Sequence, residues 1–380
     1  MRRPLVFLAL GLVLAGPFAL GYRLSQGSRA TAPVAIPGVV AEVREALADR
    51  YYRPVPTSVL KLGSVDAMLS ALRDPYTAYL EPTDYRLLRQ ATASRYSGIG
   101  VSVLPSARGL VVVALRPGPA QHAGIKRGDT IVRIGSRSAV RLGLRAASAR
   151  ILGAPGTHVR LELTRGARHF YVNVRRATVG APTVEAKLVS YAGRRFGVLR
   201  LNAFRVGAAV VLRRQLELLD RERASGLVLD LRGNPGGLFD QAIAVSSLFL
   251  GRGVVVSLTG AHNPRHVYRA SGGVATRLPL VVLVDRMSAS SAEIVAAALR
   301  DNHRATLVGQ RTFGKALVQS IDPLGNGAAL ELTIARYYTP SGKDISSVGV
   351  TPQIHAVDDP RTPRDEALGA ALRVLVGPTS

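Results

Sequence analysis

The chain has 380 residues, 47% of them apolar, which is enough for two or three domains with sizeable cores. Its 50 Lys and Arg outnumber 25 Asp and Glu, a formal net charge of +25, yet these cations are scattered along predicted helices and strands and no nucleic-acid motif accompanies them. A diffusely basic surface with some attraction to anionic membranes fits this pattern better than a nucleic-acid protein. The absence of cysteine excludes disulfides and thiolate metal sites.

In chain order, Arg2 and Arg3 precede an uncharged run from Pro4 to Tyr22 that is rich in Leu, Val, Phe and Ala. That is the layout of an export signal, and the run is just long enough to span a bilayer if left uncut. Residues 1–24 therefore read as a signal peptide or membrane anchor, with the bulk of the chain extracytoplasmic, in a periplasm or cell envelope. Residues 25–37, Pro/Ala-rich and largely polar, read as a linker.

A helical region is expected over 38–95. Val39, Val43, Ala46 and Leu47 share one helix face, and a second helix from Ser64 to Leu72 stops at Asp74-Pro75. Asp74 reads as a helix stop rather than a chemical group. Thr83–Gln90 gives a further short helix. Over 96–180 the pattern becomes β-rich. Gly98-Ile99-Gly100-Val101 is a glycine-permitted turn able to present successive backbone N–H groups, followed by a strand over Val101–Val103. Pro119 to Val132 reads as a short helix and turn before a strand over Ile131–Ile134. Gly153–Gly156 and then Val159–Thr164 resemble the closing hairpin of a PDZ domain.

Residues 181–360 read as an α/β core, with a strand at Phe196–Leu201 and a helix at Ala208–Leu219. A buried strand from Gly226 runs through Asp230, Leu231 and Arg232 into Gly233-Asn234-Pro235-Gly236-Gly237. No Lys-Ser/Thr follows those glycines, which excludes a phosphate-cradling loop. Asp230 and Arg232 suit a structural ion pair. Leu280–Val284 is a strand feeding a turn that holds Ser288, Ser290 and Ser291, then a helix over Ala292–Asn302 that is apolar on nearly every face and so buried. After a strand at Thr306–Val308 comes Thr312-Phe313-Gly314-Lys315. If that part is extended, Lys315, Leu317 and Gln319 alternate onto one face. Residues 361–380 form a last helix and tail.

A serine at a helix start is ordinarily an N-cap. The same place suits a nucleophile, because free N–H groups and the positive dipole end favour a developing oxyanion. The stretch from Leu278 to Gln319 resembles the active-site region of the carboxy-terminal processing peptidases, or tail-specific proteases, which are Ser-Lys dyad serine proteases. In that family a Ser-Ala-Ser run precedes a glutamate, here Glu293, and the serine three positions earlier, here Ser290, is the nucleophile. The Thr-Phe-Gly-Lys motif places the base at Lys315, 25 residues after the serine, and the orienting glutamine at Gln319. The family's Asp-Leu-Arg-x-Asn-Pro-Gly-Gly run matches 230–237. By resemblance an N–H of Gly236 or Gly237 joins that of Ser291 in the oxyanion hole; sequence alone does not choose between the glycines. Residues 73–80 resemble the signature closing the family's N-terminal helical region. Residues 97–178 resemble a PDZ domain, whose carboxylate-binding loop falls on Gly98, Ile99, Gly100 and Val101, with a substrate tail adding a strand beside Val101–Val103. The family resemblance, from about Val39 to about Gln353, implies a multidomain α/β protein with a helical region, a PDZ domain and a protease core akin to the ClpP/crotonase-like fold. Departures are Ser291-Ala292 for Ala-Ser, Ala316 for a glycine, Gln353 for an aspartate, and Leu152 where many members carry an arginine that signals PDZ occupancy.

The resemblance implies an exported endopeptidase that captures apolar C-terminal tails and cuts through an acyl-enzyme. A lysine must be desolvated to act as a base near neutral pH, and Phe313, Ala316 and Leu317 offer apolar company. No cofactor or metal is expected, since the histidines show no ligand motif. His303 lies 13 residues from Ser290, roughly 20 Å along a helix, too far for a triad. Partners are protein or peptide substrates with free C-termini, a membrane surface, and an adaptor or second copy; nucleic acid is not expected. The competing reading is a PDZ adaptor on a catalytically silent α/β scaffold, against which the intact Ser290, Lys315 and Gln319 stand.

Overall fold

The computed structural model describes residues 37–92, 96–115, 117–179, 182–358, 362 and 364–377. Residues 1–36, which hold the expected signal or anchor and nearly all of the linker, lie outside them. Among the described residues no helix is long and apolar enough to cross a membrane. They form two compact units, one of residues 81–179 and one of residues 37–80 with 182–377.

The larger unit opens with α1 (Pro37–Arg50), α2 (Thr57–Leu60), α3 (Val65–Leu72) and β1 (Ala78–Leu80). Ser64 Oγ caps α3 by accepting from Ala67 N at 3.2 Å, and left-handed Arg73 ends it just before Asp74-Pro75.

The smaller unit follows with α4 (Pro82–Thr92), β2 (Tyr96–Gly98), β3 (Val101–Ser106), β4 (Gly109–Leu115), α5 (Pro119–His122), β5 (Thr130–Ile134), β6 (Arg137–Ser138), α6 (Ala139–Ile151), β7 (His158–Arg165), β8 (Arg168–Arg175) and β9 (Ala177–Val179). Its antiparallel sheet runs β3-β4-β5-β7-β8, with β6 on β5, while β2 pairs with β9. Helix α6 packs against β3, β4 and β5 over a core that includes Ile99, Val103, Val112, Ile131 and Leu161. The sequence groups α4 with the helical region of 38–95, whereas its contacts place it in this unit.

The larger unit resumes with β10 (Val184–Tyr191), β11 (Arg194–Leu201), α7 (Ala208–Arg221), β12 (Leu227–Asp230), α8 (Phe239–Phe249), β13 (Val254–Gly260), β14 (Asn263–Arg269), β15 (Leu280–Val284), α9 (Ser291–Asp301), β16 (Thr306–Gly309), β17 (Leu317–Pro323), β18 (Ala329–Tyr338), β19 (Ile354–His355) and α10 (Glu366–Val376). One sheet runs β10-β11-β12-β15-β16-β19, parallel from β11 onward with β10 antiparallel at its edge. Leu227, Leu229, Val282 and Val284 face α7, α8 and α9, while Val228, Val281 and Leu283 face α10. Two covered faces explain why β12 and β15 read as unbroken apolar runs. Helix α10, expected as part of a tail beyond the core, is one of its layers: Ala367, Ala371 and Leu375 pack on the sheet.

The second sheet runs β1-β18-β13-β14, with β17 also on β18. The helices α1 and α3 cover Leu330 and Leu332 of β18 through Val43, Leu47 and Met68. Side chains alternate along a strand, so Glu331 and Thr333 lie on the face opposite those leucines. The unit is mixed α/β, and the candidate residues Gly236, Gly237 and Ser290 follow the ends of its parallel strands β12 and β15.

Candidate active site

Strand β12 ends at Asp230 and β15 at Val284, and the loops that follow them are sewn together. The Asp285 carboxylate accepts the N–H groups of Gly233, Met287 and Ser288 at 2.9–3.0 Å. The Ser288 hydroxyl donates to Leu231 O at 2.8 Å, and Ala289 N donates to Asn234 O at 3.0 Å. The serine turn is thereby held against the glycine loop before any ligand arrives. Asp230 pairs with Arg232 at 2.8 Å, and Arg232 also reaches Asp358 and Asp365 at 2.9 Å. This is the structural ion pair the sequence suggests, widened into a clamp on the start of α10.

Ser290 is the residue from which α9 starts, half-buried, with φ 54° and ψ −116°. A positive φ on a residue with a Cβ is uncommon, and such backbone gathers at functional sites. The fully buried Glu293 holds it there. Glu293 Oε2 accepts Ser290 N and Lys315 N, each at 2.9 Å, while Oε1 accepts Gly314 N at 2.8 Å and the Thr312 hydroxyl. Burial pushes the Glu293 carboxyl above its ordinary range and these donors pull it back. Phe313 N donates to Ser288 O at 3.0 Å, a further tie between the two segments. The buried Tyr337 hydroxyl bonds Lys315 O at 2.5 Å and lies 3.3 Å from Ser290 O.

Lys315 is 7% exposed, and burial pushes its amine down to about 8, with Glu331, Asp74 and Glu293 acting in the opposite direction. Its Nζ stands 4.9 Å from the centroid of the Tyr76 ring. The surroundings differ from the expectation. Phe313 is 56% exposed, so the aromatic companion of the amine is Tyr76. The simple alternation of Lys315, Leu317 and Gln319 also fails, because β17 begins only at Leu317 and its register shifts between Val318 and Gln319. Gln319 lies opposite Thr333 and its Nε2 donates to Thr333 Oγ1 at 3.4 Å. Asp74 does follow the end of α3, but it is also buried, accepting Tyr76 N at 2.9 Å, the Thr77 hydroxyl at 2.8 Å and the Tyr51 hydroxyl at 3.2 Å.

The two glycines differ. Gly236 N donates to Asn234 Oδ1 at 2.8 Å, and a Cβ there would stand 2.8 Å from Ala289 O and 3.0 Å from Ser291 N. At Gly237 a Cβ would fall 2.3 Å from Phe204 O. Ser291 Oγ donates to Gly237 O at 3.0 Å and fastens the helix start to this loop. Gly98, Ile99, Gly100 and Val101 lie in the smaller unit, between β2 and the start of β3. Gly100 has φ 84°, and Ile99 O accepts Ala120 N at 2.8 Å.

The sequence pattern places Glu293 without giving it a role and does not single out Tyr337. The Ser-x-x-Glu spacing of a capping box was a signal for Glu293. Nothing local marks Tyr337, whose partners are 22 and 47 residues away. Among the described residues no three His, Asp or Glu gather as a metal site.

Residues 195–356 match peptidase family S41. The carboxyl-terminal-processing protease of Picosynechococcus sp. is 38% identical over 305 residues, which cover 79% of this chain and 74% of that protein. The protein of the same name from Synechocystis sp. is 35% identical over 340 residues, covering 86% and 79%. Among solved structures, a photosystem II D1 C-terminal processing protease superposes with a TM-score of 0.59 at 30% identity, over 89% of this chain and 97% of that one.

Proposed function

Because the chain belongs to peptidase family S41, the carboxyl-terminal-processing proteases, and is a serine-type peptidase, we propose that it cuts peptide bonds with Ser290 as nucleophile and Lys315 as base. One observation carries this reading: a single carboxylate oxygen, Glu293 Oε2, holds the backbone N–H of both residues at 2.9 Å.

Neutral Lys315 takes the proton of Ser290 Oγ as that oxygen bonds to the substrate carbonyl carbon. The negative oxygen of the tetrahedral intermediate is received by the N–H groups of Gly237 and Ser291. Gly237 is preferred to Gly236, whose N–H is committed to Asn234. The ammonium then gives its proton to the departing amine as the C–N bond breaks. Water, activated by the same lysine, releases the acyl group from Ser290. Gln319 acts as a positioning residue beside Thr333.

The smaller unit is assigned the role of a PDZ domain that binds substrate tails. In support, β3 pairs only with β4 among the described residues and α6 packs beside it, the arrangement an added strand needs. The Gly98–Val101 turn would offer N–H groups to the terminal carboxylate. Leu152 presses on that turn, its Cδ2 only 2.9 Å from where a Cβ of Gly98 would be, so an apolar side chain borders the loop where many relatives carry arginine. Substrates are unstructured proteins ending in apolar residues, met outside the cytoplasm near a membrane surface, and an adaptor or a second copy completes the proposed partners.

The test is degradation of an unstructured protein with a free apolar C-terminus by the purified chain. Ser290→Ala and Lys315→Ala should each abolish cutting, and amidating the substrate tail should slow it. If Ser290→Ala cut at the unmodified rate, the nucleophile would be misassigned. A silent adaptor would bind the tail yet never label at Ser290 with a fluorophosphonate.

A further inference from the structure

We propose that Glu331 is a positioning residue for Lys315: its buried carboxylate, seconded by Asp74, steadies the ammonium that Lys315 becomes on taking the Ser290 proton. This rests on the Ser290–Lys315 reading above.

Glu331 is 5% exposed in the middle of β18, a place where an ionised group is retained only beside an opposite charge. The strand register says which face it serves. Thr333 is two residues along, opposite Gln319, and Glu331 is opposite Ile321 on β17 and Ala78 on β1. Glu331, Thr333 and Gln319 therefore share one face. Thr333 Oγ1 is 3.2 Å from the Thr77 hydroxyl; the latter accepts Thr333 N at 3.0 Å and donates to Asp74 at 2.8 Å. A polar seam thus runs from Gln319 to Asp74 with Glu331 beside it.

Lys315 Nζ stands over the ring of Tyr76, whose N–H is accepted by Asp74 and which lies two residues before Ala78, the residue opposite Glu331 on β18; the charges of Glu331, Asp74 and Glu293 all act on the amine. Glu293 is engaged by four donors and Asp74 by three. Among the described residues Glu331 has no comparable set, and the opposite charge acting on it is that of Lys315. Burial pushes Glu331 up to about 7 although the lysine pulls against it, with Asp74 adding to the rise. Ammonium and carboxylate thus favour each other's ionised form.

No bond to Glu331 is made or broken in the reaction. The Ser290 proton passes to Lys315 Nζ and from there to the leaving amine, while Glu331 stays ionised. Its part corresponds to that of the buried aspartate behind a catalytic histidine.

The experiment measures pH profiles of kcat/KM and kcat for Glu331→Gln and Glu331→Asp. Removing the negative charge should move the acid limb below its unmodified position near pH 8. It should also lower the plateau kcat by about tenfold to a hundredfold, within the range a positioned base contributes, with KM little changed. Glu331→Asp, which keeps the charge, should leave the limb in place and recover part of kcat. A Glu331→Gln limb that stays put, or an unchanged plateau, overturns the proposal. Should that variant fail to fold, Asp74→Asn is read in the same way: a smaller shift in the same direction supports the proposal and a fixed limb overturns it. Failure of the underlying dyad would show itself separately, as cutting by Ser290→Ala.

Discussion

Tyr337 donates its phenolic hydrogen to the carbonyl oxygen of Lys315 at 2.5 Å, and the same hydroxyl stands 3.3 Å from the carbonyl oxygen of Ser290. One buried ring on β18 thus fixes the main chain on both sides of the proposed dyad. Tyr337→Phe strips the buried Lys315 carbonyl of its partner. It should cost about 1–3 kcal/mol in urea unfolding and lower kcat about tenfold, since small displacements of reacting groups are expensive in rate. A variant that loses stability but keeps kcat would show that the ring holds the fold and not the dyad.

Burial disfavours the charged amine of Lys315, and the acids around it limit the fall, leaving it near 8. Below that value the proposed base is mostly protonated and idle. Accordingly kcat/KM should drop tenfold per unit as pH falls below about 8 and level off above it. Lys315→Arg, whose side chain stays protonated, should be inactive at every pH tested.

Gly236 has φ 100°, and its missing Cβ leaves room for Ala289 O and the Ser291 N–H. Gly236→Ala should therefore displace the proposed oxyanion donors and reduce kcat by about a hundredfold or more. Tail-peptide affinity, read by fluorescence anisotropy, should not change. Equal losses in binding and rate would point to general unfolding instead.

Arg232 is 13% exposed and joins Asp230, at 4%, to the more exposed Asp358 and Asp365. Arg232→Leu leaves Asp230 as a buried unpaired charge and loosens the start of α10. A loss of about 3–5 kcal/mol is expected in chemical unfolding. Replacing Asp358 alone, half in water, should cost less than about 1 kcal/mol.

Much of this was legible from local pattern. The apolar runs at 227–229 and Leu280–Val284 lie in strands covered on both sides, and the largely apolar segment before Asp301 is the buried α9. What failed was local reasoning about geometry set from a distance. Lys315 precedes β17 instead of lying on it, because Glu293 and Tyr337 hold its backbone from α9 and β18. The ring beside its amine, Tyr76, comes from 239 residues earlier and could not be paired with it by spacing. Asp74 reads as a helix stop because Pro75 follows. That reading is correct and incomplete, since the same carboxylate also acts on the lysine. Helix α10 reads from sequence as a helix and tail beyond the core, because nothing in a terminal segment states which sheet it will cover.

The left-handed twist at Ser290 has an evolutionary side. Backbone of this kind costs about 1–3 kcal/mol for a residue with a Cβ, and glycine would relieve it. Selection for thermal robustness alone would thus steer this position away from serine. The proposed nucleophile thus stands at a spot the fold alone would surrender, so laboratory screens that reward only heat tolerance should drift toward sturdier proteins that have lost it.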